Sequence, residues 1–221
     1  MTTAMQALFV HGMGRSPITA FPLLRQLKQN GFSPSWYFYS VTFQNFTSIS
    51  RRLEQKIERL AAQGDYVLIG HSLGGVLLRE AVATLPPGTR MPTRIILLGS
   101  PVRPSRIAKA LKRNWLFRLA TSDCGQLLAS DDRMEHVAAS QVPTTSIIGT
   151  KSISPLKRVF GDEENDCVVS YSEVCADWIT EEIRLPVSHT FMPSNSLVVK
   201  TVIECLKADQ PLLSSAADQN Q

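Results

Sequence analysis

Residues Tyr66–Ala81 read YVLIGHSLGGVLLREA, and the change of character in the middle of this stretch decides the fold. Tyr66 to Ile69 is an unbroken apolar run of strand length. Gly70-His71-Ser72-Leu73-Gly74 is a glycine-flanked turn, and Leu73 to about Thr84 has helical spacing that Pro86-Pro87 stops. Glycines two before and two after the serine let strand and helix backbones approach. The serine itself is forced into a strained conformation that pushes its hydroxyl out above the sheet. At this chain's composition, chance supplies only about 0.06 GxSxG matches, before the strand and helix flanks are required.

The same alternation runs outward on both sides. Ala7–Val10 (ALFV) predicts a strand ending in His11-Gly12, Pro17–Asn30 a helix, Trp36–Tyr39 a strand, and Thr47–Ala62 a helix with Ile49, Leu53, Ile57 and Leu60 on one face. Beyond the turn, Arg94–Leu98 (RIILL), Thr145–Ile148 and about Trp178–Leu185 predict strands, and about Ser194–Lys207 a last helix. Continuous apolar strands between helices require a sheet buried on both faces. The expected fold is therefore α/β and doubly wound, a mainly parallel sheet of about six strands with helices on both faces. The 221 residues suit one domain, here 1–207, and residues 208–221 are polar, lack periodicity and are expected to be a flexible tail.

Composition narrows the class further. With 43% hydrophobic and 19% charged residues, collagen-like, coiled-coil and wholly disordered chains are excluded. The apolar blocks are far shorter than a membrane span, and Met1–Gln6 carries no Lys or Arg, so neither a transmembrane helix nor a signal peptide is expected. Cys124, Cys167, Cys175 and Cys205 form no CxxC pair, which favours a reduced, cytoplasmic setting, and the sequon Asn45-Phe46-Thr47 carries no weight there. No metal-ligand spacing is present, and neither a metal nor another cofactor is expected. Gly12-Met13-Gly14 could open a dinucleotide loop, but Pro17 stands where the fingerprint needs glycine.

GHSLGG after an apolar strand resembles the nucleophile elbow of the α/β-hydrolase superfamily, particularly small bacterial lipases and esterases, and the likeness covers most of the chain. It implies Ser72 as nucleophile. LFVHGMG, Leu8–Gly14, matches the family's HG motif and implies the backbone N–H of Met13 as one oxyanion donor, with that of Leu73 as the other. A serine needs a base. The resemblance gives His11 and His71 framework roles and His136 falls in the expected cap. His189, in LPVSHTFM between a strand and a helix, is left in the place where the superfamily carries its base. Similar lipases carry an ND-G-x-V element whose Asp is the third member. Asp166 matches it, although Cys167 replaces the glycine and Asp162, Glu163 and Glu164 stand close by.

The formal charge of +4 conceals an asymmetry: Arg90 to Arg118 holds eight Lys or Arg and no Asp or Glu, so the remainder sums to −4 and no nucleic-acid-binding surface is expected. Residues 101–143, between two strands, are expected to form a small helical cap. Ile107, Leu111, Trp115 and Leu119 at four-residue steps predict a single basic amphipathic helix over 104–119. Its apolar side (Ile107, Leu111, Trp115) is expected to meet an acyl chain, and its cations an anionic membrane surface. The expected function is a serine esterase or lipase acting on a small-molecule or lipid acyl ester or thioester. An acyltransferase or a membrane-lipid-remodelling hydrolase is the near alternative, and a non-catalytic binding protein on the same fold a more distant one.

Overall fold

The computed structural model describes residues 4–152 and 157–217. Six parallel strands, β1 (Gln6–Val10), β2 (Ser33–Tyr37), β3 (Tyr66–His71), β4 (Arg94–Leu98), β5 (Thr144–Gly149) and β6 (Glu181–Leu185), form one sheet in the order β2-β1-β3-β4-β5-β6. Every residue of β3 is buried, as its unbroken apolar run demands. Alternate residues serve opposite faces. Leu8, Val10, Leu68, Ile95 and Leu97 pack under α2 (Phe46–Ala61) and α3 (Leu73–Ala83), while Ala7, Phe9, Val67, Ile69, Ile96 and Leu98 pack under α1 (Phe21–Gln29) and the last helix (Ser196–Ala217). Each fully buried Leu or Ile contributes about 1.5–3 kcal/mol, so these two apolar layers dominate the stability.

The edges of the sheet depart most from the sequence pattern. β2 begins at Ser33 and ends at Tyr37, earlier than the predicted Trp36–Tyr39. Pro34 fits because β2 pairs on one side only and an edge strand can spare an N–H. At the other edge β6 begins at Glu181, since Trp178 and Ile179 pack instead against the α2/α3 layer. The last helix continues past the predicted end at Lys207 to Ala217, and residues 218–221 of the expected tail lie outside the described residues. Among the described residues no two cysteines are joined by a disulfide.

Between β4 and β5 the chain folds into α4 (Arg106–Leu111), α5 (Trp115–Leu128) and α6 (Asp131–His136). The single basic helix expected over 104–119 does not form. Asn114 takes an extended conformation and its side chain accepts from Phe117 N at 3.1 Å, starting a new helix and ending the stripe. Ala108, Cys124, Leu127, Leu128 and Met134 join the α2/α3 layer, whereas Leu111, Trp115 and Leu119 are exposed. Within α5, Ser122 breaks the helix with φ 47° and ψ −134°.

Candidate active site

Register brings the site together before any side chain is considered. Val10 pairs with Gly70 and His71 with Leu98, so the chain leaves β1, β3 and β4 at neighbouring points on one edge. Ser72 occupies the turn between β3 and α3 with φ 53° and ψ −126°, a conformation that costs a non-glycine residue about 1–3 kcal/mol. The surroundings hold it there. Its N–H donates to Leu98 O at 2.9 Å, and its carbonyl accepts from Gly75 N at 3.0 Å and from the Ser100 hydroxyl at 2.8 Å. A Cβ on Gly74 would stand 2.2 Å from Val10 O, so the second glycine of the motif is required for α3 to pass β1.

Gly12 lies against this turn, since a Cβ there would come within 3.0 Å of both the Ser72 Cβ and His71 Nδ1. Met13 follows it, and Leu73 is the first residue of α3, where backbone amides have no acceptor within the helix. The two sequence-assigned oxyanion donors therefore belong to turns that flank Ser72.

His189 and Asp166 meet as a buried pair. The His189 Nδ1–H donates to Asp166 Oδ2 at 2.7 Å, with His189 6% exposed and Asp166 fully buried. The other carboxylate oxygen accepts from Val168 N at 2.9 Å and Val169 N at 2.8 Å, and His189 N donates to Asp166 O at 2.9 Å, so carboxylate and imidazole are both fixed through the backbone. Cys167 takes φ 85° in this turn, the left-handed geometry a glycine adopts without strain. The nearby acids serve elsewhere: Glu164 pairs with Arg184 at 3.1 Å, and Glu163 bonds Arg106 and Ser172. Burial alone would raise the Glu163 carboxyl, but the bonds from Ser172 and Arg106 hold it at about 2.

The structure adds residues that the sequence reading did not assign. Gly99, directly after β4, has φ 53°, and a Cβ there would come within 2.9 Å of Asp166 Oδ2 and 3.0 Å of His189 Nδ1. Its signal was present as a glycine closing the strand beside the elbow strand. Ser100, which holds the Ser72 carbonyl, follows it. His71 donates its Nε2–H to His189 O at 3.0 Å, and the two rings lie 4.9 Å apart. Burial, then the neighbouring His189, keeps His71 neutral, well below the ordinary histidine range. His11 stacks on Tyr39 at 4.2 Å and accepts from its N–H at 3.4 Å, and burial lowers it too. His136 is exposed on α6. Arg15 bonds the Thr190 hydroxyl at 3.1 Å, joining the turn after Met13 to the His189 segment. Among the described residues no group of three or more His, Cys, Asp or Glu is placed to hold a metal ion.

A parallel sheet covered by helices, with its polar side chains gathered on turns along one edge, is the plan of an α/β hydrolase. The match of residues 7–197 to the model of the alpha/beta hydrolase family shows that the chain belongs to that family. Among solved structures, a Bacillus licheniformis lipase in its mature form is similar over 96% of this chain and 93% of its own, with 17% identity and a TM-score of 0.73. A metagenomic carboxyl esterase is similar over 86% of this chain and 65% of its own, with 14% identity and a TM-score of 0.71. A thioesterase of the prodiginine biosynthetic pathway in Streptomyces coelicolor is similar over 94% and 86%, with 13% identity and a TM-score of 0.65. At these identities the likeness is one of fold. Comparison with curated proteins finds no match.

Proposed function

We propose that this protein is a serine hydrolase that cleaves carboxylic ester or thioester bonds through an acyl-enzyme on Ser72. The observation that carries the proposal is the buried 2.7 Å pair of His189 and Asp166, held against the turn on which Ser72 keeps its strained conformation. A serine hydroxyl is a poor nucleophile alone, and a charge-stabilised imidazole is the group that removes its proton.

In the proposed reaction the Ser72 oxygen attacks the acyl carbonyl while His189 Nε2 takes the hydroxyl proton. Asp166 fixes the Nδ1–H tautomer and stabilises the imidazolium. The N–H groups of Met13 and Leu73 receive the oxyanion, the second aided by the N-terminal end of the α3 dipole. His189 then gives its proton to the departing alcohol or thiol. Water repeats the sequence on the acyl-enzyme and releases the acid, and no cofactor is needed for either half.

Hydrolysis of p-nitrophenyl esters from short to long acyl chains tests this, with Ser72→Ala and His189→Ala proteins of confirmed fold beside the parent. The expected result is turnover that both variants lose, with a chain-length optimum that sizes the acyl site. Parent turnover unchanged in Ser72→Ala, or a parent that neither turns over nor takes up a fluorophosphonate at Ser72, would overturn the proposal. The second outcome would favour a binding protein on this fold.

A further inference from the structure

Large apolar side chains are exposed unevenly over the molecule. Ile18, Phe38 and Phe43 are 81%, 65% and 88% exposed, and Trp115, Leu116 and Leu119 are 69%, 56% and 66% exposed. All six stand on segments that follow the carboxyl ends of β1, β2 and β4, the edge that carries Ser72. They form a connected rim. Ile18 and Phe38 line one groove of about 310 Å³ with Phe21 and Trp36, Phe38 lies 5.8 Å from the ring of His11, and the hydroxyl of Thr42, beside Phe43, donates to Ala120 O on α5 at 3.3 Å.

The chain segments that build this rim carry charge of one sign, although Asp131 and Asp132 of α6 share a groove with Lys112 and Asp131 pairs with Lys109 at 2.5 Å. Residues 1–53 contain Arg and Lys but no Asp or Glu, and the same holds for 90–118. These two acid-free stretches supply every residue of the rim up to Arg118, and Leu119 follows directly. Lys112 and Arg113, before Trp115, and Arg118, between Leu116 and Leu119, are exposed. Asp123, the next acid along α5, is already engaged by Arg133 at 2.8 Å and Phe46 N at 2.8 Å. Protruding Trp, Phe and Leu interleaved with cations are the composition that seats a protein at the headgroup level of an anionic bilayer. Among the described residues no helix is long and apolar enough to cross a membrane, so contact through this rim would be peripheral.

We infer that the face bearing Ser72 docks on an anionic lipid surface, with Phe38, Phe43, Trp115, Leu116 and Leu119 entering the interface and Lys112, Arg113 and Arg118 meeting the headgroups. Docking in this orientation presents the site to ester bonds at the membrane surface. That consequence rests on the hydrolase reading above, whereas the docking itself does not.

The test is co-sedimentation of the full-length Ser72→Ala protein with vesicles of phosphatidylcholine alone and with about one-third phosphatidylglycerol. Two further Ser72→Ala proteins carry Lys112→Glu/Arg113→Glu/Arg118→Glu or Leu116→Ser/Leu119→Ser. The expected result is partitioning at least tenfold stronger onto the anionic vesicles, reduced at least tenfold by either set. With Ser72 restored, both sets should turn over a short water-soluble ester at the parent rate, which shows that they fold and keeps the docking result separate from the chemistry. Absence of binding to anionic vesicles, or binding that neither set weakens, would overturn the inference. Retention on immobilised polyglutamate without vesicle binding would also overturn it, in favour of an acidic protein partner.

Discussion

Ser72 and Ser122 hold nearly the same backbone conformation, φ 53° and ψ −126° against φ 47° and ψ −134°, in two different places. Ser72 sits between a strand and a helix beside the buried His189–Asp166 pair. Ser122 interrupts α5, and the groove it lines is completed by Trp115, Arg118, Leu119 and Gln126, none of which is a general base. Its sequence neighbours are engaged structurally: the Thr121 hydroxyl donates to Phe117 O at 2.6 Å, and burial pushes the Cys124 thiol up to about 12. Strain alone therefore does not mark a nucleophile. What separates the two is their surroundings: His71, next to Ser72, bonds the carbonyl of His189, a residue more than a hundred positions away, whereas no imidazole or carboxylate lines the groove at Ser122.

Deleting each hydroxyl separates the two serines most directly. Ser72→Ala is expected to lower kcat for an activated ester by about 10⁴-fold or more, and Ser122→Ala to leave it within twofold of the parent. A loss on deleting Ser122, with Ser72→Ala still active, would reverse the assignment. The next largest effect belongs to Gly99→Ala. Its methyl group would enter the space of Asp166 Oδ2 and His189 Nδ1, and a displacement on the order of 1 Å in such a pair costs about 10²-fold. That loss should appear in kcat with the far-ultraviolet circular dichroism spectrum preserved.

Much of this was legible in the sequence because it is local. The unbroken apolar runs fixed where β1, β3 and β4 lie, since a strand buried on both faces has no polar position to spare, and GHSLG marked the turn that holds Ser72. The pairing of Asp166 with His189 could be ordered along the chain but not demonstrated, because 23 residues and a strand separate them. Gly99 and Ser100 carry no local mark for a similar reason: their importance comes from register with β3, which no window of sequence contains. The basic helix failed where a cap overrode periodicity. Asn114 lies off the apolar stripe and leaves its four-residue spacing intact, yet its side chain offers the Phe117 amide an alternative to a continuous helix.

Acid should destabilise the protein through two buried imidazoles near Ser72. His11 and His71 are buried and kept neutral, with folded pKa values lowered below the ordinary 6.5. As pH falls below about 6.5, the unfolded chain binds protons at these imidazoles that the folded chain refuses. Stability should therefore be full above that pH and decline beneath it, by up to about 1.4 kcal/mol per pH unit for each group, until the lowered folded values are reached. Urea unfolding at pH 7.5, 6.5 and 5.5 measures the slope. His71→Asn should be less stable at pH 7.5 yet show a shallower slope, and an unchanged slope would mean that the imidazole is not held neutral.

The smallest effect returns to the two serines. Glycine adopts a positive φ without a Cβ clash, so Ser122→Gly relieves about 1–3 kcal/mol of strain while losing about 0.5–1 kcal/mol to the greater freedom of the unfolded chain. A net gain of about 1 kcal/mol, or a rise in Tm of about 2–4 °C for a chain of this size, is expected with turnover intact. Ser72→Gly should gain by the same arithmetic and abolish turnover. If both glycine variants are more stable and only one is inactive, the strain at Ser72 is retained for the hydroxyl it aims, and the strain at Ser122 is a cost of bending α5. If Ser122→Gly is instead destabilised, its hydroxyl or its helix flanks hold that kink by an interaction worth more than the strain, and the two serines would differ in energetics as well as in chemistry.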